Sequence, residues 1–596
     1  MEVDPSPSPS EHPAQSAPST QPSSSAAAAA EEENENDRTV INSTEVSLAG
    51  LHASLPSNVR VRQTKETGRG LYAKETFKPG SVVLAVRPLV SVLSTSNLEA
   101  YCSYCCSPAP KGGLKRCTRC RKVWYCDATC QNNDWASHRM ECPALLRWEA
   151  TAPSSSLSIP PDAVRALGRI LWGFQREGLN STWTKEFAMM QSHRGNLPPT
   201  AFESHTHLAH SVVRYLGISS PEDMAPYGLN SAGDLVDLIS RFTTNTFTLT
   251  SPSLTPIGTS ISPTMALVNH SCEPNSVMVF PHTPNTPAIQ EPRMHLVAIR
   301  DIAPGDEIVA SYIDITLPRE LRLKALKETY NFDCRCKLCR KKSENDPRSC
   351  MYCPKSCGGL CPLPTEENNL TRCNKCKAAV ASTDAVLDAV RVGQEGLDKA
   401  TTLQFKDPVK AKQLTTNLIP IMSTAGLTPS THPLLAMLRL HLELLVEQLS
   451  IDLRQDLLDE AIRTAAKYSA GLSNILTFGH PVRAIALAEL GKLLAVDEPS
   501  PNDQDTQDAN ANAGMVTFPP SGPARLKLAL ETLIRAREEL NVAFGKGTGG
   551  GQVGKEVREA IVRLESEMKT WTQGIKNALE DARAAGKIPA RSSAAS

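Results

Sequence analysis

Eighteen cysteines hold most of the chemistry available to this 596-residue chain, and all of them lie between Cys102 and Cys376. The first block reads Cys102-x2-Cys105-x11-Cys117-x2-Cys120-x5-Cys126-x3-Cys130-x7-His138-x3-Cys142. Seven cysteines and one histidine are eight ligands, the number two tetrahedral Zn²⁺ ions need. Cysteines at x2 spacing present two thiolates from one tight turn, and His138 and Cys142, four apart, share one face of a helix. A block this small has almost no core, so metal binding must provide its folding energy. The spacing leaves open which ligands share an ion, and Cys106 is spare. A second group, Cys334-x-Cys336-x2-Cys339, offers three thiols where a closed site needs four. A distant loop can supply the fourth, and Cys272, in "NHSCEPNS" (269–276), is the natural candidate. The same stretch sets Cys272 near His270, so a nucleophile–base pair and a plain polar loop are the competing readings. A third group runs Cys350-x2-Cys353-x3-Cys357-x3-Cys361, then Cys373-x2-Cys376. Four of these six could hold a further ion. Cys353, Cys357, Cys373 and Cys376 are the first choice, sets using Cys350 or Cys361 are alternatives, and a reduced loop is the bland reading.

The elements that must position these groups change character along the chain. Residues 1–50 are rich in Ser, Pro and Ala, then acidic, and should be a disordered tail. From Val59, "VRVRQT" and "SVVLAVRPLVSVL" read as short strands, with "KETGRG" and "KPG" as turns. Residues 161–217 read as helices, "DAVRALGRILWGF" having helical period. Short strands return at "NTFTLT", "SVMVFP", "MHLVAIRDI" and "EIVASYI". Beyond about residue 381 the pattern is amphipathic helix, with "PLLAMLRLHLELLVEQL" the plainest example and "DEPSPNDQDTQDANANAG" and "GKGTGGGQVG" as loops. Antiparallel helix pairs stacked in a small TPR-like solenoid are expected there, an ordinary bundle being the alternative, since no clean 34-residue repeat is visible. Lys plus Arg and Asp plus Glu balance at 63 each, so nothing global points to nucleic acid or an acidic membrane surface. No apolar run would span a bilayer, and the first residues lack the basic start and apolar core of a secretory signal. The expectation is an intracellular chain, in nucleus or cytoplasm, where reducing conditions favour metal sites over disulfides.

Four stretches in order, "GRGLYA" (68–73), "NHSCEPN" (269–275), "EIVASYID" (307–314) and "YNFDCRCKLC" (330–339), resemble the SET-domain lysine methyltransferases. The cysteine block, with "VWYC" at 123–126 and its W…H…C ending, resembles the MYND zinc finger. A MYND finger inserted after the first SET strands is similar to the SMYD (SET and MYND) family, and the resemblance covers roughly 58–340. It implies an α+β multidomain chain: a SET β-fold with its knot-like crossing, an inserted MYND finger, a post-SET zinc site and a C-terminal α-helical TPR-like domain. The implied boundaries are 58–100 for the SET N-lobe, 102–142 for the finger and 155–225 for a helical insert. The SET C-lobe would follow at 226–316, the post-SET region at 317–345, the extra cysteine cluster at 346–380 and the helical domain at 381–596.

The resemblance also assigns roles. Cys102, Cys105, Cys126 and Cys130 would bind one zinc, Cys117, Cys120, His138 and Cys142 a second, and Cys272, Cys334, Cys336 and Cys339 a third. The last assignment removes Cys272 as a nucleophile. Gly68, Arg69, Gly70, His193, Asn245, Asn269, His270 and Phe332 would contact S-adenosylmethionine (SAM), Gly68 and Gly70 by letting backbone approach closely, Asn269 through its side-chain amide. Tyr312 would be the central catalytic residue, with Phe247, Tyr312 and Tyr330 lining the lysine channel. A lysine amine has a pKa of about 10.4 and must lose its proton to attack a methyl group, which burial in an apolar channel favours. Aromatic walls suit a cationic, methylated nitrogen. The implied partner is a protein substrate with a target lysine, and the enzyme is expected to be a monomer. The finger would bind a proline-rich peptide, and nucleic acid is not an expected partner. A catalytically silent SET/MYND adaptor is the alternative; the substrate and the degree of methylation are not readable.

Overall fold

The computed structural model describes residues 55–283, 286–341, 345–366, 368–498 and 518–585. The expected disordered tail lies outside the described residues, as does most of the "DEPSPNDQDTQDANANAG" loop. The SET region is a set of small sheets. Strand Val59–Thr64 turns at Lys65–Thr67 and pairs antiparallel with Gly68–Ala73. Met294–Ala298 is the centre of a three-stranded sheet, flanked by Ser276–Val279 and Val82–Val86. Pro256–Ile261 is the centre of another, flanked by Val90–Leu93 and Thr246–Thr250. Leu71 and Ile257 point inward from their strands and Met294–Ala298 is buried at every position, so Leu71, Ile257 and Leu296 are fully buried in one core, joined by Met265 from a single 3-10 turn.

One pairing matters most for the site. Asn269–His270 runs parallel to Val309–Ala310, and Ser271 N–H donates to the Ala310 carbonyl at 2.9 Å. Asn275 staples this crossing from both sides, its amide donating to the Glu307 carbonyl (2.8 Å) and its Oδ1 accepting from Val309 N–H (2.9 Å).

The finger ends in the helix Ala128–Ala150, whose start is capped by Asp127 accepting from Cys130 N–H at 2.9 Å. Helices Asp162–Glu177, Thr182–Ala188, Pro199–Leu216 and Ala232–Asn245 follow. The last of them starts at a Ser231 capping box and lies in the stretch 226–316 expected as the SET C-lobe. Insert and finger share one apolar core.

The helices Arg319–Tyr330 and Lys337–Arg340 lead to a hairpin, Cys350–Tyr352 with Leu360–Pro362. The helical region then runs Thr383–Leu403, Pro408–Thr424, Leu434–Leu449, Gln455–Ser473, Pro481–Leu494, Gly522–Ala543 and Gly551–Ala584, each packed on the one before it. It returns to the SET sheets at its far end. Lys546 N–H donates to the Gly80 carbonyl (2.9 Å) and Gln552 N–H to the Pro281 carbonyl (3.1 Å). Among the described residues no helix is long and apolar enough to cross a membrane.

Candidate active site and metal centres

A cavity of about 2310 Å³ lies between the SET strands and the helical region. On the SET side it is lined by Gly68, Arg69, His193, Asn245, Phe247, Asn269, His270, Tyr312, Tyr330 and Phe332. On the helical side Asp398, His432, Arg439, Glu443, Tyr468 and His480 close it. The fold thus gathers residues up to 264 positions apart in the SET region onto one wall.

Tyr312 is held on three sides. Its hydroxyl donates to the Val268 carbonyl at 2.7 Å and its backbone N–H donates to His270 Nδ1 at 3.0 Å. The Tyr330 hydroxyl donates to the Tyr312 carbonyl at 3.3 Å, and the two rings lie 5.0 Å apart at 46°. Burial, with the nearby Tyr330 and Glu307 adding to it, pushes the Tyr312 phenol well above its ordinary pKa, and Tyr330 is also raised by burial. Both phenols are neutral at pH 7.

His270 is committed as well. An N–H donor occupies Nδ1, so the neutral ring carries its proton on Nε2. Burial lowers the pKa of His270 to about 4, which keeps the ring neutral. Nε2 lies 3.2 Å from Cys272 Sγ. It therefore offers a proton to that sulfur and cannot take one, which removes the nucleophile–base reading of the pair. The Phe332 ring sits 5.9 Å from the imidazole.

Three expected contacts are arranged differently. Gly70 is absent from the cavity wall: a Cβ there would meet Glu307 Oε1 at 2.5 Å and Asn269 Nδ2 at 2.9 Å, so its missing side chain makes room for those two groups. Gly68 does line the cavity; its φ of +70° is the left-handed conformation that favours glycine. The Asn269 amide nitrogen, expected to reach the cofactor, donates instead to Glu307 Oε1 (2.8 Å) and the Arg69 carbonyl (3.1 Å). The Asn245 amide donates to the carbonyls of Gln191 (2.8 Å) and Arg241 (2.7 Å). Arg69 donates to the Met189 carbonyl, and His193 holds a left-handed backbone with φ 55° at the cavity rim.

The cysteines converge in sets. In each of Cys102/Cys105/Cys126/Cys130, Cys117/Cys120/His138/Cys142 and Cys272/Cys334/Cys336/Cys339, the four ligand atoms lie within 4.8 Å of one another. Four thiolates at about 2.3 Å around zinc stand roughly 3.8 Å apart, whereas a disulfide needs about 2.05 Å. The sulfur separations of 3.7 Å (Cys105–Cys126), 3.5 Å (Cys272–Cys339) and 4.0 Å (Cys272–Cys334) fit a shared ion. Tyr312, Tyr330 and Phe332 pack against the Cys272 set, so the same cluster braces the aromatic wall of the cleft.

The finger has an outer layer that motif reading missed. His138 Nε2 points to Cys117 (3.4 Å) and Cys120 (3.6 Å), while Nδ1 faces Glu141 Oε2 at 3.5 Å. Glu141 also accepts from Arg165 Nε (3.1 Å) and Arg169 Nη2 (2.6 Å), and Arg169 bridges on to Asp134 (3.1 Å), which accepts from the Tyr125 hydroxyl (2.9 Å). These charges are all buried. The arginines hold the Glu141 carboxyl well below its usual range despite burial. A carboxylate behind a ligating histidine fixes its tautomer and orientation. The available signal was two arginines, four apart, on the otherwise apolar helix "DAVRALGRILWGF".

Residues 68–313 match the SET domain family model. The chain is 31% identical over 288 residues to N-lysine methyltransferase SMYD2-A of Danio rerio, covering 47% of this chain and 60% of that protein. It is 28% identical over 290 residues to histone-lysine N-methyltransferase SMYD3 of Homo sapiens, covering 49% and 63% respectively. To histone-lysine N-methyltransferase ASHR1 of Arabidopsis thaliana it is 29% identical over 286 residues, covering 47% and 54%. The chain thus spans 54–63% of the length of these relatives. A solved structure titled as the SET domain of LSMT bound to lysine and AdoHcy aligns over 89% of this chain and 92% of that one at 13% identity, with a TM-score of 0.25, too loose a likeness to bear on this fold. Across its SET-matching segment, then, the chain is similar to SMYD methyltransferases.

Proposed function

We propose that this chain is a protein-lysine N-methyltransferase that draws its methyl group from SAM. The observation that carries the reading is the Tyr312–Tyr330 pair, neutral, in tilted ring contact and at the wall of the cleft with Gly68, Asn269 and His270. SAM, when bound, supplies an electrophilic methyl group. Gly68, Arg69, Asn269, His270 and Phe332 would hold it, with His193 and Asn245 at the rim. The amide nitrogens of Asn269 and Asn245 are already engaged, so their part is to fix the wall.

The target lysine would enter from the helical side, between Phe247, Tyr312 and Tyr330. An apolar, aromatic wall disfavours the ammonium form and so favours the amine with its free lone pair. The Tyr312 O–H donates its hydrogen bond to the Val268 carbonyl. Its oxygen is left as an acceptor that can hold an amine N–H and so aim the lone pair. At its raised pKa it does not act as a base. Positioning of this kind is the main source of rate for a displacement in line.

Zinc would be held in three closed, four-ligand sites: the two in the finger and Cys272/Cys334/Cys336/Cys339. Each lacks an open position, so the ions are structural. The substrate is a protein presenting a lysine. Trp135, 49% exposed beside His138, gives the finger an aromatic surface suited to a proline-rich peptide.

The test is calorimetric titration of SAM into zinc-replete protein, wild type and Tyr312→Phe, with methyl incorporation into histones and lysate measured alongside. Both proteins should bind SAM, and Tyr312→Phe should lose about 100-fold or more in methyl transfer, the scale of removing one positioned polar group. Folded, metal-loaded protein that binds no SAM would overturn the reading and leave an adaptor.

A further inference from the structure

Between the post-SET segment and the first helix of the C-terminal region the chain passes through six more cysteines, and four of them converge. We propose that Cys353, Cys357, Cys373 and Cys376 bind a structural Zn²⁺ of their own, and that this ion fixes the joint between the SET and helical regions. The four sulfurs lie within 4.8 Å of one another, with Cys353–Cys376 at 3.4 Å and Cys357–Cys373 at 3.5 Å. These separations are far too long for disulfides and close to the roughly 3.8 Å between thiolates on one zinc.

The local backbone repeats that of the finger. In three of the five Cys-x2-Cys steps, those starting at Cys102, Cys117 and Cys373, the residue after the second cysteine is a non-glycine at positive φ: Cys106 (56°), Arg121 (56°) and Lys377 (60°). In each, that residue donates its N–H back to the carbonyl of the first cysteine, at 2.9, 3.1 and 3.1 Å. The match between the first and third turns goes further. Cys102 N–H donates to the Ser107 carbonyl and Cys373 N–H to the Ala378 carbonyl, both at 2.9 Å. Tyr101 bridges Pro108 as Arg372 bridges Ala379, the same offsets from the two cysteines. A left-handed residue with a side chain costs energy. Its recurrence at the same offset in turns aimed at converging thiols points to a common metal-binding turn.

The site is also built around its sulfurs. Lys355 N–H points at Cys353 Sγ and Lys375 N–H at Cys373 Sγ, each at 3.4 Å, which favours thiolates. Gly359 has room for no side chain, because a Cβ would lie 2.6 Å from Cys373 Sγ. Cys350 and Cys361, buried on the hairpin strands, fall outside the set.

The hairpin beneath the site is a wedge between the two regions. Tyr352 N–H donates to the Gly426 carbonyl (2.8 Å), Met351 bridges Leu427, and Thr431 donates to the Cys350 carbonyl. Just before it, buried Arg348 donates to the carbonyls of Ile315 (2.7 Å) and Ile475 (3.2 Å), one from each region. The segment carrying the cysteines has little apolar core of its own, so an ion would have to hold it.

The experiment is native mass spectrometry of the full chain with site-mapped alkylation. Wild type should carry one zinc more than Cys376→Ser, whose side chain is exposed, whatever the occupancy of the other three sites; Cys106→Ala should match wild type. In native wild type, Cys376 should resist alkylation despite its exposure until a chelator is added, together with Cys353, Cys357 and Cys373. In Cys376→Ser, amide exchange should rise in 350–380 and 425–432. Equal zinc in wild type and Cys376→Ser, or free alkylation of Cys376 in the native protein, overturns the proposal; the alkylation result stands even if the variant does not fold. Neither readout uses SAM, so the methyltransferase reading can fail separately.

Discussion

The helix Leu434–Leu449 buries Leu434, Leu435, Met437, Leu438, Leu440, Leu442, Leu444 and Leu445. The finger, 102–142, buries Cys102, Cys105, Cys117, Cys120, Cys130 and Cys142, with Val123 and Tyr125 among the few other apolar side chains. Each buried leucine contributes about 1.5–3 kcal/mol, so one helix of the C-terminal region collects on the order of 10–20 kcal/mol from water exclusion alone. A structural zinc in a small finger is worth about 10–16 kcal/mol. The two regions reach similar gross stabilisation by routes that respond to different conditions. One depends on a free metal concentration and a buried four-charge network; the other rests mainly on apolar burial, with Arg525 and the Arg483–Glu539 pair among its few buried charges.

The largest effect that could break this contrast is metal removal. A strong chelator should unfold the finger and the Cys272 set, seen as loss of amide protection in 102–142 and 330–340, while the helices from 383 onward keep theirs. Equal loss in both regions would show that the helical region leans on the metal sites more than its own core implies. The next is Arg169→Met. It leaves Asp134 and Glu141 buried with one arginine fewer, and breaking such a network typically costs about 3–5 kcal/mol. The finger should melt earlier by that amount and the helical region should not move, which thermal scans with region-resolved exchange would read.

The smallest effect sharpens the comparison from the other side. Burial lowers the pKa of His480, at the start of helix Pro481–Leu494, from 6.5 to about 4, with Asp314 opposing the shift. A depressed histidine contributes stability that is present above its unfolded pKa and lost as pH falls through the folded one. Between pH 6.5 and 4 the helical region should therefore lose roughly 3 kcal/mol at most from this group. His480→Gln should flatten that slope. An unchanged slope in the variant would mean that other buried histidines, such as His441, carry it.

Much of this is legible in the sequence. The eight finger ligands, the Cys334–Cys339 triplet and a first choice of four in the third group can be marked in the sequence because closely spaced cysteines sit on local turns, although Cys350-x2-Cys353 has the same spacing as the finger pairs and only the fold leaves Cys350 outside its set. Helical period likewise marked Asp162–Glu177 and Leu434–Leu449. The helix Ala232–Asn245 was not legible, because a capping box at Ser231 is a short signal beside the strand pattern that follows it. The outer layer of the finger was not legible either: Glu141, Asp134, Arg165 and Arg169 look like ordinary surface charges until two elements close over them.

What the sequence by itself determined is the inventory of chemistry: which residues can ligate, which rings can wall a channel, and which region has enough leucine to stand without metal. Only the tertiary structure decided which sulfurs meet, that His270 is locked as a donor by the backbone of Tyr312, that Asn269 holds Glu307, and that Gly70 clears space for those two side chains. The physical reason is range. Turns and helical faces are set by neighbours three or four residues away, whereas hydrogen-bond commitments and burial are set by segments brought together from tens to hundreds of residues apart.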